Sequence, residues 1–256
     1  MESVLIKNNM ELQFDEKKHL YTLEDKPITG VTTILKVINK PALLQWSSNM
    51  AVEHIEREVA KIASENDNLE YMKELAKKWA TILKDAKTAY RRKADKAADI
   101  GSLAHAWVEK YINAKIKGEK EPEREEALAL MTDNFVKWVD ENKVKFLSSE
   151  QRVFSKKHWY AGTYDFDCEI DGKVYIGDLK TSSGIYSEMF FQTAAYQCAA
   201  QEMNEPNEVP IQGNIIVNCK KDGKFDWQIS EEYHQNLSAF MGALAIYRRN
   251  GELGLN

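Results

Sequence analysis

The architecture follows from residues 162–180, GTYDFDCEIDGKVYIGDLK. From Gly162 to Ile170 apolar and polar residues alternate with a period of two, the spacing of a strand buried on one face. Tyr164, Phe166, Cys168 and Ile170 share one side; Thr163, Asp165, Asp167 and Glu169 share the other. Asp171-Gly172 is a two-residue hairpin turn, and Lys173–Lys180 is the return strand. Asp178 and Lys180 are two apart and project from one face, while Leu179 points into the core. Asp165 precedes Asp178 by 13 residues across the hairpin, so neighbouring strands can hold both carboxylates beside one cation.

Working outward, QRVFSKK (151–157) reads as a preceding strand, and a helix runs from about Ser187 to Met203 with Ser187 as its cap. IQGNIIVNC (211–219) and KFDWQIS (224–230) read as two more strands, and Ser230 as the cap of a last helix. Residues 10–24 form a hairpin around Asp15-Glu16-Lys17-Lys18, Gly30 stops it, and a short apolar segment, VTTILKVI (31–38), follows. From Pro41 to about 142 the texture is helical, with apolar residues at three and four spacing (Met72, Leu75, Ala76, Trp79, Ile82, Leu83) and breaks near 65–68 and 117–122. The fold class expected is α/β: a mixed central sheet flanked by helices, with a large helical N-terminal portion. Residues 1–97 are the hairpin and helical region, and 98–256 the core, the two making one compact unit.

With 256 residues and 43% hydrophobic content the chain can bury a core, and a formal net charge of −5 excludes a globally basic binder but not a local basic groove. Three isolated cysteines, 168, 198 and 219, fit neither a disulfide framework nor an iron–sulfur cluster. The N-terminus has no signal-peptide pattern and no run is long enough to span a membrane, so a cytoplasmic protein is expected.

A carboxylate and an ammonium side by side at a strand end suit metal-assisted hydrolysis: the acid binds the cation, and the lysine orients or deprotonates water or meets charge developing on phosphate. An edge-strand ion pair is the plain alternative. Asp165, Asp178 and Glu150, the last at the start of the preceding strand, are oxygen ligands suited to one or two Mg²⁺ or Mn²⁺ ions.

At Gly162-Thr163-Tyr164-Asp165, Gly177-Asp178-Leu179-Lys180-Thr181-Ser182 and Gln192-Thr193-Ala194-Ala195-Tyr196 the sequence resembles the PD-(D/E)XK nuclease superfamily, in its RecB-type branch. Ala98–His105 is similar to that branch's Gly-x-x-x-His element, and VTTIL with Trp46 to segments of phage-type and mitochondrial-genome-maintenance-type exonucleases. The resemblance covers residues 98–200 well and the rest loosely. It implies a restriction-endonuclease-like core. His105 would be a metal ligand, Asp165 and Asp178 the central ligands helped by the Leu179 carbonyl, and Lys180 the catalytic lysine. Glu150 would match the acidic residue of the first motif, and Gln192 and Tyr196 the QxxxY motif. Tyr164 stands where the superfamily's name has proline, and the cluster cysteines of related nucleases are missing.

Residues 70–96 hold nine Lys/Arg, Arg91 and Arg92 among them, against four acids, a charge pattern that can track phosphates. Lys156, Lys157, Trp159 and Tyr160 form a basic–aromatic segment able to hold a backbone or stack on bases. Ser182 and Ser183 can donate to a phosphate. The expected activity is metal-dependent hydrolysis of DNA, by resemblance an exonuclease on ends or single strands in phage or prophage recombination, repair or replication. Recombination proteins are the expected partners, and an oligomer is compatible with the sequence. A structure-specific endonuclease and an inactive nucleic-acid-binding module are the competing readings.

Overall fold

The computed structural model describes residues 2–6, 10–16, 18–38, 40–65, 68–203 and 210–255. The elements are β1 (Glu2–Ile6), β2 (Met10–Asp15), β3 (Leu20–Leu23), β4 (Lys26–Gly30), α1 (Val31–Ile34) with a 3₁₀ turn at Leu35–Val37, α2 (Pro41–Glu65), α3 (Asn68–Ala86), α4 (Ala89–Lys117) and α5 (Glu126–Glu141). They continue as β5 (Lys145–Ser155), β6 (Tyr160–Ile170), β7 (Lys173–Lys180), α6 (Ser187–Met203), β8 (Ile211–Cys219), β9 (Phe225–Ser230) and α7 (Tyr233–Glu252).

The fold is mixed α/β. β5, β6 and β7 form an antiparallel meander; α6 carries the chain across so that β8 lies parallel to β7, and β9 returns antiparallel. β1–β4 are an antiparallel ribbon whose last strand joins β6 in parallel, at Thr29↔Tyr160 and Gly30↔Ala161. β5 covers one edge of β6 along its length. The other edge is shared: β4 takes residues 160–161, and β7 takes 166–170. Among the described residues no strand pairs with 162–165 on that edge, so the sheet forks there.

The chain divides into two compact units, residues 1–38 with 103–256, and residues 39–102. The N-terminal ribbon thus belongs with the sheet, and the helical unit is 39–102.

In the first unit the sheet is covered on both faces. Trp107 and Tyr111 of α4 and Phe135 and Trp138 of α5 pack with Phe166, Cys168, Leu179 and Val217. Ala195, Tyr196 and Ala199 of α6 and Phe240 and Leu244 of α7 pack with Tyr160 and Ile176. Each fully buried large side chain here contributes about 1.5–3 kcal/mol of transfer free energy. The alternation read in 162–170 is the burial pattern found, apolar residues buried and Thr163, Asp165, Asp167 and Glu169 half-buried.

Several elements depart from the sequence reading. β5 begins at Lys145, six residues early, so Glu150 sits in mid-strand rather than at the start. β6 begins at Tyr160, which moves that residue from loop to core. β1 and β4 were not expected, the latter because it contains Pro27, a residue depleted from strands. The helical stretch also breaks between Ala86 and Ala89, where the local sequence gives no Gly or Pro signal. Ser230 is not the cap of α7, whose N-cap is Glu232; its hydroxyl instead accepts from the Glu232 and Asn236 nitrogens. Of the α3 stripe, Ile82 is buried but Met72, Trp79 and Leu83 are exposed. Lys17 and residues 66–67, named at a turn and a break above, lie outside the described residues. Among the described residues no helix is long and apolar enough to cross a membrane.

One glycine is fixed by packing: a Cβ at Gly177 would land inside the Phe166 ring on the paired strand. Overpacking of this kind costs about 1–3 kcal/mol. Gly177→Ala should therefore lower the urea midpoint, and adding Phe166→Leu should recover part of the loss. An unchanged midpoint for Gly177→Ala contradicts this packing.

Candidate active site

The fork is the mouth of an open pocket of about 350 Å³. Asp165, Asp178, Lys180, Glu150, His105, Gln192 and Tyr196 all line it, joined by Phe14, Glu16, His19 and Tyr21 from the N-terminal ribbon and by Thr32 and Arg152. Extending the β6–β7 register by one residue sets Asp165 opposite Asp178, on the face that α6 covers. No backbone ladder forms there; instead Asp165 Oδ2 accepts the Leu179 N–H at 2.6 Å. The carboxylate therefore takes the place of a strand partner and is held at the fork. Leu179 itself is buried in the core, as its position in the strand requires.

Asp178 is 2% exposed. Its Oδ1 accepts from Gln192 Nε2 at 3.1 Å, and its Oδ2 is in ion-pair contact with Lys180 Nζ. Gln192 Oε1 accepts from Lys180 Nζ at 3.3 Å, and its Nε2 also donates to Tyr196 Oη at 2.9 Å. A carboxylate only accepts and an ammonium only donates, so these contacts fix which way the amide points. Gln192 and Tyr196 are one turn apart on α6, and the Tyr196 ring lies where a Cβ on residue 162 would be, which makes glycine obligatory there. Burial and the neighbouring Asp165 raise the Asp178 pKa, against the pull of Lys180. Burial opposes the Lys180 ammonium, but Asp178 and Asp165 outweigh it and hold its pKa above the usual lysine value. Burial also raises the Tyr196 phenol well above its ordinary range.

Glu150 faces Asp165 across β5–β6, between the pairs Ser149↔Phe166 and Gln151↔Tyr164. Its φ is 52°, a left-handed conformation that costs a non-glycine residue on the order of 1 kcal/mol and interrupts the ladder there. Desolvation, then Asp165 and Glu109, push its carboxyl up to about 8. His105 Nδ1, from α4, is 3.6 Å from Asp165 Oδ2.

The other candidates lie elsewhere. Tyr160 is fully buried and donates from its hydroxyl to the Ala195 carbonyl, so it cannot meet a substrate. The indole of Trp159 donates to the Pro27 carbonyl at 3.1 Å, and the Lys157 N–H to Glu202, near the far end of α6. Ten residues of helix, about 15 Å, separate Glu202 from Gln192, so the 156–159 turn is remote from the acids. Lys156 is exposed on the same turn. Ser182 donates to the Gly184 carbonyl and Ser183 pairs with the Tyr186 hydroxyl; neither lines the pocket. Arg91 and Arg92 belong to the helical unit, not to this site. Arg152, Tyr21 and Thr32 escaped the sequence reading, although Arg152 lies two residues past Glu150 on the same strand face.

Among the described residues no group of three His, Cys, Asp or Glu side chains forms a ready-made cage. A magnesium-class ion needs less: it keeps several waters and takes one or two carboxylates. Asp178 Oδ2 is buried with the Lys180 ammonium against it, and Asp165 offers a second carboxylate on the same face. The donor set is all oxygen apart from the neighbouring imidazole. These residues fit Mg²⁺ or Mn²⁺.

No protein-family model matches the sequence, and no curated protein matches it either.

The raised Glu150 pKa has a consequence for stability. The folded chain keeps a proton that the unfolded chain releases near pH 4.5, so metal-free protein loses stability as pH rises from there to about 8. The side chain is exposed, which tempers the size but not the sign. In EDTA, Glu150→Gln should melt higher than wild type, with a gap absent near pH 4 and widening up to about pH 8. A gap that does not change with pH contradicts this.

Proposed function

We propose that this protein is a Mg²⁺- or Mn²⁺-dependent nuclease that hydrolyses phosphodiester bonds of DNA, with Asp165, Asp178 and Lys180 at its centre. The observation that carries the reading is that these three side chains line one open pocket at the sheet fork. The β5–β6–β7 meander followed by the α6 crossover to parallel β8 supports a restriction-endonuclease-like core of the PD-(D/E)XK type. The sequence resemblance to the RecB-type branch supports an exonuclease on DNA ends or single strands, working with recombination proteins.

Asp165 and Asp178 would hold the ion, with His105, Glu150 and the Leu179 carbonyl as nearby donors. Once bound, a divalent ion acts as a Lewis acid on the phosphate and lowers the pKa of its water. Lys180 is placed to donate to the attacking water or to charge building on the phosphate oxygens, and its raised pKa keeps it an ammonium. Gln192 orients both Asp178 and Lys180, and Tyr196 holds Gln192. Arg152 gives the same pocket a second cation for a backbone phosphate.

On end-labelled linear DNA with Mg²⁺, Asp165→Asn, Asp178→Asn and Lys180→Ala should each cut nucleotide release by roughly 10²-fold or more. Gln192→Leu, which removes only a positioning group, should cost roughly 10- to 100-fold. An exonuclease leaves circular DNA intact, and cleavage of circles would move the reading to an endonuclease. Equal release by wild type and all three variants would overturn the site assignment.

A further inference from the structure

The helical unit contains a second polar groove, about 380 Å³, lined by Met50, Glu53, His54 and Arg57 of α2 and Ala89, Arg92 and Lys93 of α4. The edge-on ring pair Trp46–Tyr90 joins the two helices at this point. Three cations against one acid leave the lining positive in a chain that is net negative. Arg57 also pairs with Glu58, and Arg92 donates to the Thr88 hydroxyl and the Asp85 carbonyl; on α3, Lys73 pairs with Glu70, and Lys77 and Lys78 with Glu74. The basic character read along 70–96 is thus answered locally on α3 and concentrated at the start of α4.

His54 adds a separate observation. It is 8% exposed, and its Nδ1 lies 2.9 Å from an Arg57 guanidinium nitrogen. A guanidinium only donates, so Nδ1 is the accepting nitrogen and the ring proton sits on Nε2. That Nε2–H is buried and has no acceptor. A buried donor left unpaired costs about 1–3 kcal/mol, a cost that an acceptor oxygen reaching the His54 ring from the groove would remove.

We propose that this groove binds a phosphate group of a nucleic-acid backbone, held by Arg57, Arg92 and Lys93 with His54 as a hydrogen-bond donor. Arginine forks match phosphate oxygens in pairs, lysine adds a point charge, and the apolar Met50 and Ala89 side chains offer a surface for the sugar. The groove would give the helical unit its own hold on the polymer. This inference rests on the nucleic-acid reading of the sheet site.

Binding is read by fluorescence anisotropy of a labelled single-stranded DNA oligonucleotide in EDTA, where hydrolysis cannot occur, over a salt series. Arg57→Gln, Arg92→Gln and Lys93→Gln should each weaken binding roughly threefold to tenfold and flatten the salt slope by about one, Lys93→Gln with its thermal midpoint unchanged. Lys78→Gln, on α3, should do neither. Affinity and slope unchanged in all three groove variants overturn the proposal, even if the protein cuts DNA. Weakened binding in a protein that never cuts upholds the groove and overturns the nuclease. A parallel titration with inorganic phosphate, followed by the His54 ring resonances, separates the two sources of phosphate. A shift lost in Arg92→Gln, with DNA affinity unaffected, assigns the groove to free phosphate and overturns the backbone reading.

Discussion

Asp178 and Lys180 are packed into the end of a strand where the sheet parts, and that buried pair constrains everything around it. Taking a carboxylate and an ammonium out of water costs several kcal/mol per ion, and their mutual attraction returns it only when the remaining polar atoms are satisfied. Gln192 supplies that satisfaction from α6, donating to the acid and accepting from the base. Tyr196 in turn holds Gln192, and Gly162 leaves room for the Tyr196 ring. The helix is thereby tied to the strand end, and the fork stays open because Asp165 occupies the Leu179 N–H that a ladder would otherwise take.

This arrangement stores cost rather than removing it. Carboxylates on Asp178 and Glu150 have raised pKa values, Asp178 and Lys180 are buried together, and Glu150 sits at a positive φ. A fold selected only for stability would replace such groups with apolar ones. On the proposed reading, acids with raised pKa values, a strained residue and a lysine share one pocket because the site is kept for chemistry. On the same reading, a divalent cation between the acids would offset these costs.

What was legible in the sequence is what has a local period. The alternation of 162–170, the Asp171-Gly172 turn, the strand of 173–180 and the helix of 187–203 each announce themselves within a few residues, and the register of β6 and β7 then sets Asp165 opposite Asp178. The parallel docking of β4 against Tyr160 and Ala161 has no such signature, since it joins residues about 130 apart. For the same reason Phe14, His19 and Tyr21 could not be foreseen as walls of the pocket. Tyr160 was misread because a basic–aromatic run looks alike in a loop and at the first buried residue of a strand. The groove on α2 and α4 was half-legible: Arg92 stood out by charge, but His54 gained meaning only from Arg57 lying against its ring.

The most direct test of the central claim is anomalous diffraction from crystals grown in saturating Mn²⁺. The account predicts an anomalous peak in contact with the carboxylates of Asp165 and Asp178. Well-ordered side chains at both positions with no peak between them, or Mn²⁺ bound only elsewhere, would contradict it.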